Sequence, residues 1–178
     1  MGNKVLIIED AKSLSGAIQA ELRVKYEIQS DIAYDLAEAQ ALLDKQADHY
    51  FLSTVDLQLP GSDQGAAVKL TNAHNLPSII FTGQTDTRLK SEFVHDQLID
   101  YVFKTASSGV HYVGWLIHRV LSNNQLKVLV VDDSQSARKV ICAILEVQGF
   151  QVIEAIDGES CMAQLKHEPD IIILDEYL

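Results

Sequence analysis

The most constraining feature of this chain is a repeat. Residues 4–10 read KVLIIED and residues 127–133 read KVLVVDD, each an apolar run closed by two carboxylates. Both runs lead into a stretch with helical spacing, marked by Leu14, Ile18 and Leu22 in the first copy and by Val140, Ile144 and Val147 in the second. Further on, YFLSTVD ends at Asp56 and DIIILD ends at Asp175, at nearly the same distance from the acid pair in each copy. Two such layouts in one chain predict a duplicated architecture.

In the first copy, continuous apolar runs at 4–9, 50–55, 78–82 and 99–103 read as buried parallel strands, and 26–33 as a weaker edge strand. Helix-spaced stretches lie between them, near 12–24, 35–46, 62–73, 86–97 and 108–122. The last carries Val110, Val113, Ile117, Val120 and Leu121 on one stripe. Alternation of this kind predicts an α/β fold with a doubly wound, five-stranded parallel sheet, whose sites lie at the carboxyl ends of strands beside a topological switch point. Residues 1–122 then form a first domain and the polar stretch at 123–126 a linker. Residues 127–178 supply strand 127–131, helix 134–148, strand 150–155, helix 158–167 and strand 170–175, the first half of a second copy. Half a sheet leaves an open edge, so this copy reads as truncated, with its remainder in a longer parent protein.

Composition narrows the function. The 178 residues suit one domain and part of another. Asp and Glu number 25 against 14 Lys and Arg, a formal charge of -11. A surface so acidic repels nucleic-acid backbones and anionic membranes. No apolar run approaches the ~18–20 residues of a membrane helix, and acidic residues interrupt the start before a signal peptide can form. Cys142 and Cys161 suit reduced thiols in a cytoplasmic protein.

The chemistry lies where the strands end. Glu9 and Asp10 close the first strand and Asp56 the third. If these strands are neighbours, three carboxylates share one pocket, which demands a divalent cation or strongly shifted pKa values. All-oxygen ligation suits Mg²⁺ or Mn²⁺. Thr82 ends the fourth strand and Lys104 the fifth, bringing a hydroxyl and an ammonium to the same edge. One acid at a strand end is an ordinary solvated cap. Three acids, a hydroxyl and a lysine converging from four strands describe a phosphoryl site with a carboxylate nucleophile.

This constellation resembles the receiver domain of two-component response regulators, a flavodoxin-like fold. It does so through Glu9-Asp10, Asp56 opening DLQLPG, Thr82 in FTG and Lys104 in FK, and again through Asp132-Asp133 and Asp175. The resemblance implies that Asp56 accepts a phosphoryl group from a histidine kinase or phosphotransfer protein. It implies that Asp10, Asp56 and the backbone carbonyl of Gln58 ligate Mg²⁺, with Glu9 acting through a bound water. Lys104 would pair with the phosphoryl oxygens, while Thr82 and Tyr101 would move together as a switch that drives an output face and can lead to a homodimer. In the second copy it makes Asp175 the acceptor and Tyr177 the carbonyl donor. Thr105 stands where the family usually places a proline, so either a trans loop or retained strain is expected there. Tandem receivers joined by a short link are similar to the input half of diguanylate cyclase (GGDEF) regulators. A hybrid kinase, a cyclic-di-GMP phosphodiesterase or a non-phosphorylated pseudo-receiver are alternatives. The chain itself would be a regulatory phospho-acceptor, with at most self-phosphorylation and dephosphorylation activity.

Other chemistries fit poorly. A phosphatase of the haloacid-dehalogenase type needs D-x-D after the strand, but Asp56-Leu57-Gln58 and Asp175-Glu176-Tyr177 stand here. A dinucleotide site needs a Gly-rich turn where Glu9-Asp10-Ala11-Lys12 stands. The histidines carry no pairing pattern, and His111 and His118 read as surface residues. Tyr112 and Trp115 read either as a contact patch or as packing against the second domain, and the two cysteines as ordinary helix thiols.

Overall fold

A computed structural model describes residues 2–83, 97–104 and 106–176. Thr105, Tyr177 and the helix expected at 86–97, save Gln97, lie outside the described residues. The chain divides into two compact units, Met1–His118 and Arg119–Leu178.

The first unit carries strands β1 (Lys4–Ile8), β2 (Gln29–Ala33), β3 (Tyr50–Val55), β4 (Ser78–Thr82) and β5 (Leu98–Phe103). Its helices are α1 (Lys12–Tyr26), α2 (Leu36–Gln46), α3 (Ala66–Ala73) and most of α4 (Ala106–Asn123), which runs on into the second unit. The strands form one parallel sheet in the order β2-β1-β3-β4-β5. That is the flavodoxin-like doubly wound order, in which the chain leaves β1 first to one side and then to the other, opening a crevice between β1 and β3. β2 is the expected edge strand, although Tyr26 belongs to α1, whose end is set by Glu27 in the left-handed region (φ 58).

Alternation along the strands divides the core in two. Leu6, Ile8, Val55, Ile80 and Tyr101 face one side and pack with Ala39 and Leu43 of α2 and with Ala67 and Val68 of α3. The other side is covered by α1 and α4, which bury Ile18, Leu22, Val113, Leu116 and Ile117. α4 approaches α1 closely because residue 114 is glycine: a Cβ there would meet Glu21 Cγ at 2.8 Å. The expected surface histidines are exposed, but both tie these helices together. His111 Nδ1 lies 2.9 Å from Glu21 Oε2, and the His118 ring stacks on Tyr26 at 4.8 Å. Tyr112 and Trp115 stack on the outer face of α4, each 45% exposed.

At the starts of β1 and β3, opposite the carboxyl edge, the Tyr50 hydroxyl donates to Asp31 Oδ2 (2.8 Å) and accepts from Gln46 Nε2 (2.6 Å). Lys4 Nζ pairs with the same Asp31 oxygen at 3.2 Å. Between β3, β4 and α3, a second buried polar link runs Ser53–Ser78–Thr71, with both hydroxyl contacts at 2.8 Å.

The second unit contains β6 (Lys127–Val131), α5 (Gln135–Val147), β7 (Gln151–Ala155), α6 (Gly158–Gln164) and β8 (Ile171–Leu174). Its parallel sheet runs β7-β6-β8, the counterpart of β2-β1-β3. α5 is the helix expected from Val140, Ile144 and Val147, but that stripe is not its buried face. Val140 and Ile144 are each 60% exposed, while Arg138 and Cys142 are buried and Ile141 and Leu145 pack on the sheet. By register on the central strand, Ile171, Ile172 and Leu174 stand where Leu52, Ser53 and Val55 are buried in the first unit. Here they are 43%, 48% and 61% exposed, because β8 is an edge where β3 is central.

Two outcomes are expected. Burial, aided by the bond to Asp31, pushes the Tyr50 phenol from 10.0 up to about 12. Since the folded value lies above the unfolded one, its contribution is complete below pH ~10 and lost as pH rises through about 12. The stability advantage over Tyr50→Phe, from urea unfolding at stepped pH, should therefore fall by on the order of 2 kcal/mol across that window. Separately, an open apolar edge strand is a template for self-pairing. Ile172→Lys should reduce concentration-dependent association in sedimentation velocity without changing far-UV circular dichroism.

Candidate functional site

β1 and β3 are neighbours, with Ile8 paired to Val55, so the residues that follow them emerge side by side at the carboxyl edge. Two backbone bonds set that exit: Glu9 N–H donates to Ala33 O (3.0 Å) and Asp56 N–H to Ile8 O (2.9 Å). Glu9 and Asp56 are buried and Asp10 is exposed, and one carboxylate oxygen from each lies within 4.8 Å of the others. The sheet order thus gathers three acids that the sequence separates by almost fifty positions.

Lys104 reaches them. Its Nζ lies 2.6 Å from Asp56 Oδ2 and 2.7 Å from Glu9 Oε2. Its backbone N–H donates to Thr82 O at 2.8 Å, which joins the ends of β4 and β5. The remaining oxygens are held locally: Glu9 Oε1 accepts from Ala11 N–H (3.2 Å) and Asp56 Oδ1 from Gln58 N–H (3.3 Å). Direct pairing of Glu9 with Lys104 is absent from the sequence reading, which gave Glu9 a water-mediated role. Its extra methylene relative to aspartate extends the carboxylate, and only the fold shows that a lysine stands within that reach.

One ammonium does not balance three carboxylates, and the site's electrostatics reflect this. Burial pushes the Glu9 carboxyl above the ordinary carboxylate range, and the nearby Asp56 charge adds to the rise, against the pull of Lys104. Burial works against the Lys104 charge, but its bonds to Asp56 and Glu9 outweigh that cost and hold the ammonium above its usual value. The donor set is all oxygen and retains excess negative charge, which suits a hard divalent cation.

Thr82 is buried as the last residue of β4. Tyr101 is buried in the core, paired in register with Ile80 and edge-on to Phe103 at 5.3 Å. Gln58 is exposed just beyond Asp56.

The second unit repeats the wiring. Asp132 N–H donates to Ala155 O (3.2 Å) and Asp175 N–H to Val131 O (2.9 Å). Asp132 Oδ1 accepts from Ser134 N–H at 2.8 Å, as Glu9 accepts from Ala11. The carboxylates of Asp132, Asp133 and Asp175 again lie within 4.8 Å of one another. One participant was missed in the sequence: Arg138 of α5, buried behind the acid pair. Its spacing with Ile141, Cys142 and Leu145 was the available signal, since it places a cation on the inward stripe.

Among the described residues, no helix is long and apolar enough to cross a membrane. No family model matches the chain. It is 44% identical over 50 residues to the phosphate regulon transcriptional regulatory protein PhoB of Escherichia coli strain K12, a match covering 28% of this chain and 22% of that protein. The manganese-bound form of response regulator Rcp1 shares the fold, with TM-score 0.51 and 22% identity over 63% of this chain and 88% of that one. A crystal structure named as a "putative two-component system response regulator/ggdef domain protein" superposes with TM-score 0.87 at 30% identity, over 99% of this chain and 71% of that one. With that likeness carried across both units, this chain belongs to the response-regulator receiver family of two-component signalling.

Proposed function

We propose that the first unit is a phospho-acceptor switch in which Asp56 takes a phosphoryl group from a histidine kinase or phosphotransfer protein. The observation that carries this reading is the Asp56 carboxylate, set at the switch point with Lys104 Nζ at 2.6 Å and two further acids alongside. An Asp56 oxygen attacks the phosphorus of a phosphohistidine. The new O–P bond forms as the N–P bond breaks, and the electron pair leaves with the imidazole, which takes up a proton. Asp10, Asp56 and the Gln58 carbonyl would hold Mg²⁺ or Mn²⁺, with Glu9 acting through water. When bound, the cation supplies charge neutralisation to the phosphoryl oxygens. Lys104 is poised to transfer its pairing from the Asp56 carboxylate to the incoming phosphoryl group, and the Thr82 hydroxyl stands at the same edge.

In the second unit, Asp132, Asp133 and Asp175 would form the equivalent pocket, with Asp175 the acceptor. The Tyr177 carbonyl assigned to it lies outside the described residues. The exposed Ile171, Ile172 and Leu174 support completion of that sheet by further strands, as β4 and β5 complete the first. The likeness to a GGDEF-linked regulator supports diguanylate cyclase as the effector that the receivers control in a cytoplasmic parent protein, through a repositioned output face or a homodimer.

Intact-protein mass spectrometry after incubation with acetyl phosphate tests the acceptor. One Mg²⁺-dependent phosphoryl adduct should be assigned to the first unit and be lost in Asp56→Asn. A folded, Mg²⁺-binding protein with no adduct there would instead be a pseudo-receiver. Lys104→Ala should keep Mg²⁺ binding but lower the adduct level about tenfold, the scale of one charge-assisted pair. An unchanged level would refute the proposed role of Lys104.

A further inference from the structure

The two acid pockets share their backbone wiring. In the first, Lys104 bonds two of the acids directly. In the second, an arginine stands behind the acid pair. Arg138 is 8% exposed, donates from Nη1 to the main-chain oxygen of Asp132 at 2.7 Å, and donates from Nε to Glu154 Oε2 at 2.8 Å. Asp132 is therefore held at three points: its N–H on Ala155 O, its carbonyl on Arg138 and its carboxylate on Ser134 N–H.

We infer that Arg138 is a positioning residue for the second pocket, one that fixes the Asp132-Asp133 turn so that its carboxylates and that of Asp175 converge on a divalent cation. The inference rests on the reading that this pocket binds such a cation. Packing does not explain the arginine. It occupies the inward stripe of α5 beside Ile141, Cys142 and Leu145, where an apolar side chain would pack without the cost of burying a guanidinium. Its counterpart in the first unit is Ser15, also buried, whose hydroxyl bonds, among the described residues, Ala11 O and Lys12 O in its own helix turn. Glu154 is likewise particular to this copy, since Ile32 holds the equivalent place on β2. Arginine and glutamate together thus form a strap from α5 across the end of β6 to β7. Both guanidinium bonds have fixed directions, so the fork clamps the Asp132 carbonyl at a set distance from β7. Outer partners of this kind orient metal-binding groups without touching the ion.

The test is Mn²⁺ titration of the full chain carrying Asp10→Asn and Asp56→Asn, which leaves the second pocket as the acid site, with free Mn²⁺ read by electron paramagnetic resonance. Arg138→Met fills the inward stripe with an apolar side chain of similar length, and far-UV circular dichroism of each variant shows that binding is compared on folded protein. Arg138→Met should weaken Mn²⁺ binding about tenfold, and Arg138→Lys should restore part of that loss. A positive charge near the pocket, acting only by repulsion, would give the opposite result: tighter Mn²⁺ binding in Arg138→Met. Tighter or unchanged binding there overturns the positioning role. Asp133→Asn in the same background separates the two levels of the argument. If it abolishes binding, the pocket is the site and the Arg138 results stand on their own. If the background protein shows no binding that Asp133 controls, the reading beneath the inference falls, and the inference with it.

Discussion

Repulsion among three carboxylates is the constraint around which the first unit is organised. Glu9, Asp10 and Asp56 would separate if each were free to seek water, and it is the parallel pairing of β1 with β3 that prevents this. That pairing rests on apolar alternation along both strands, buried on both faces by helices. The core's hydrophobic free energy thus holds like charges together at one edge. Lys104 offsets part of the cost, and its own position depends on β5 lying beyond β4 with its end tied to Thr82. Changes in any of these elements reach the pocket because all five strands contribute to its placement or its charge balance.

The second unit shows which parts of the site's placement belong to the fold. The links from the acid pair to the neighbouring strand and from the third acid to the central strand recur bond for bond. These are backbone interactions, set by parallel register, and any sequence with the same strand pattern would form them. The arginine behind the acid pair is a local addition, since Ser15 holds its place in the first unit.

Much of this was legible in the chain. The repeated apolar runs and their acids located β1, β3, β6 and β8, and Thr82 and Lys104 fell at the ends of strands as expected. Those positions are legible because strand burial and strand exit are local properties: a continuous apolar run ends where its first charges must leave the core. Helix existence was equally legible, but helix orientation was less so. Val140 and Ile144 have the right spacing for a buried stripe, yet they are exposed, and a charged residue on the neighbouring stripe is buried instead. Hydrophobic spacing says that a helix is amphipathic. It does not say which face meets a sheet when one flank of that sheet is open.

What the sequence by itself determined was the alternation of strands and helices, the duplication, and the identities of the acids, hydroxyl and lysine at the carboxyl edge. Only the tertiary structure decided that Glu9 pairs directly with Lys104, and that Arg138 turns inward to bind the Asp132 carbonyl and Glu154. The physical reason is the same in both cases. Long charged side chains choose partners by distance and direction across elements remote in sequence, and those quantities exist only once the strands are in register and the helices have settled on their faces.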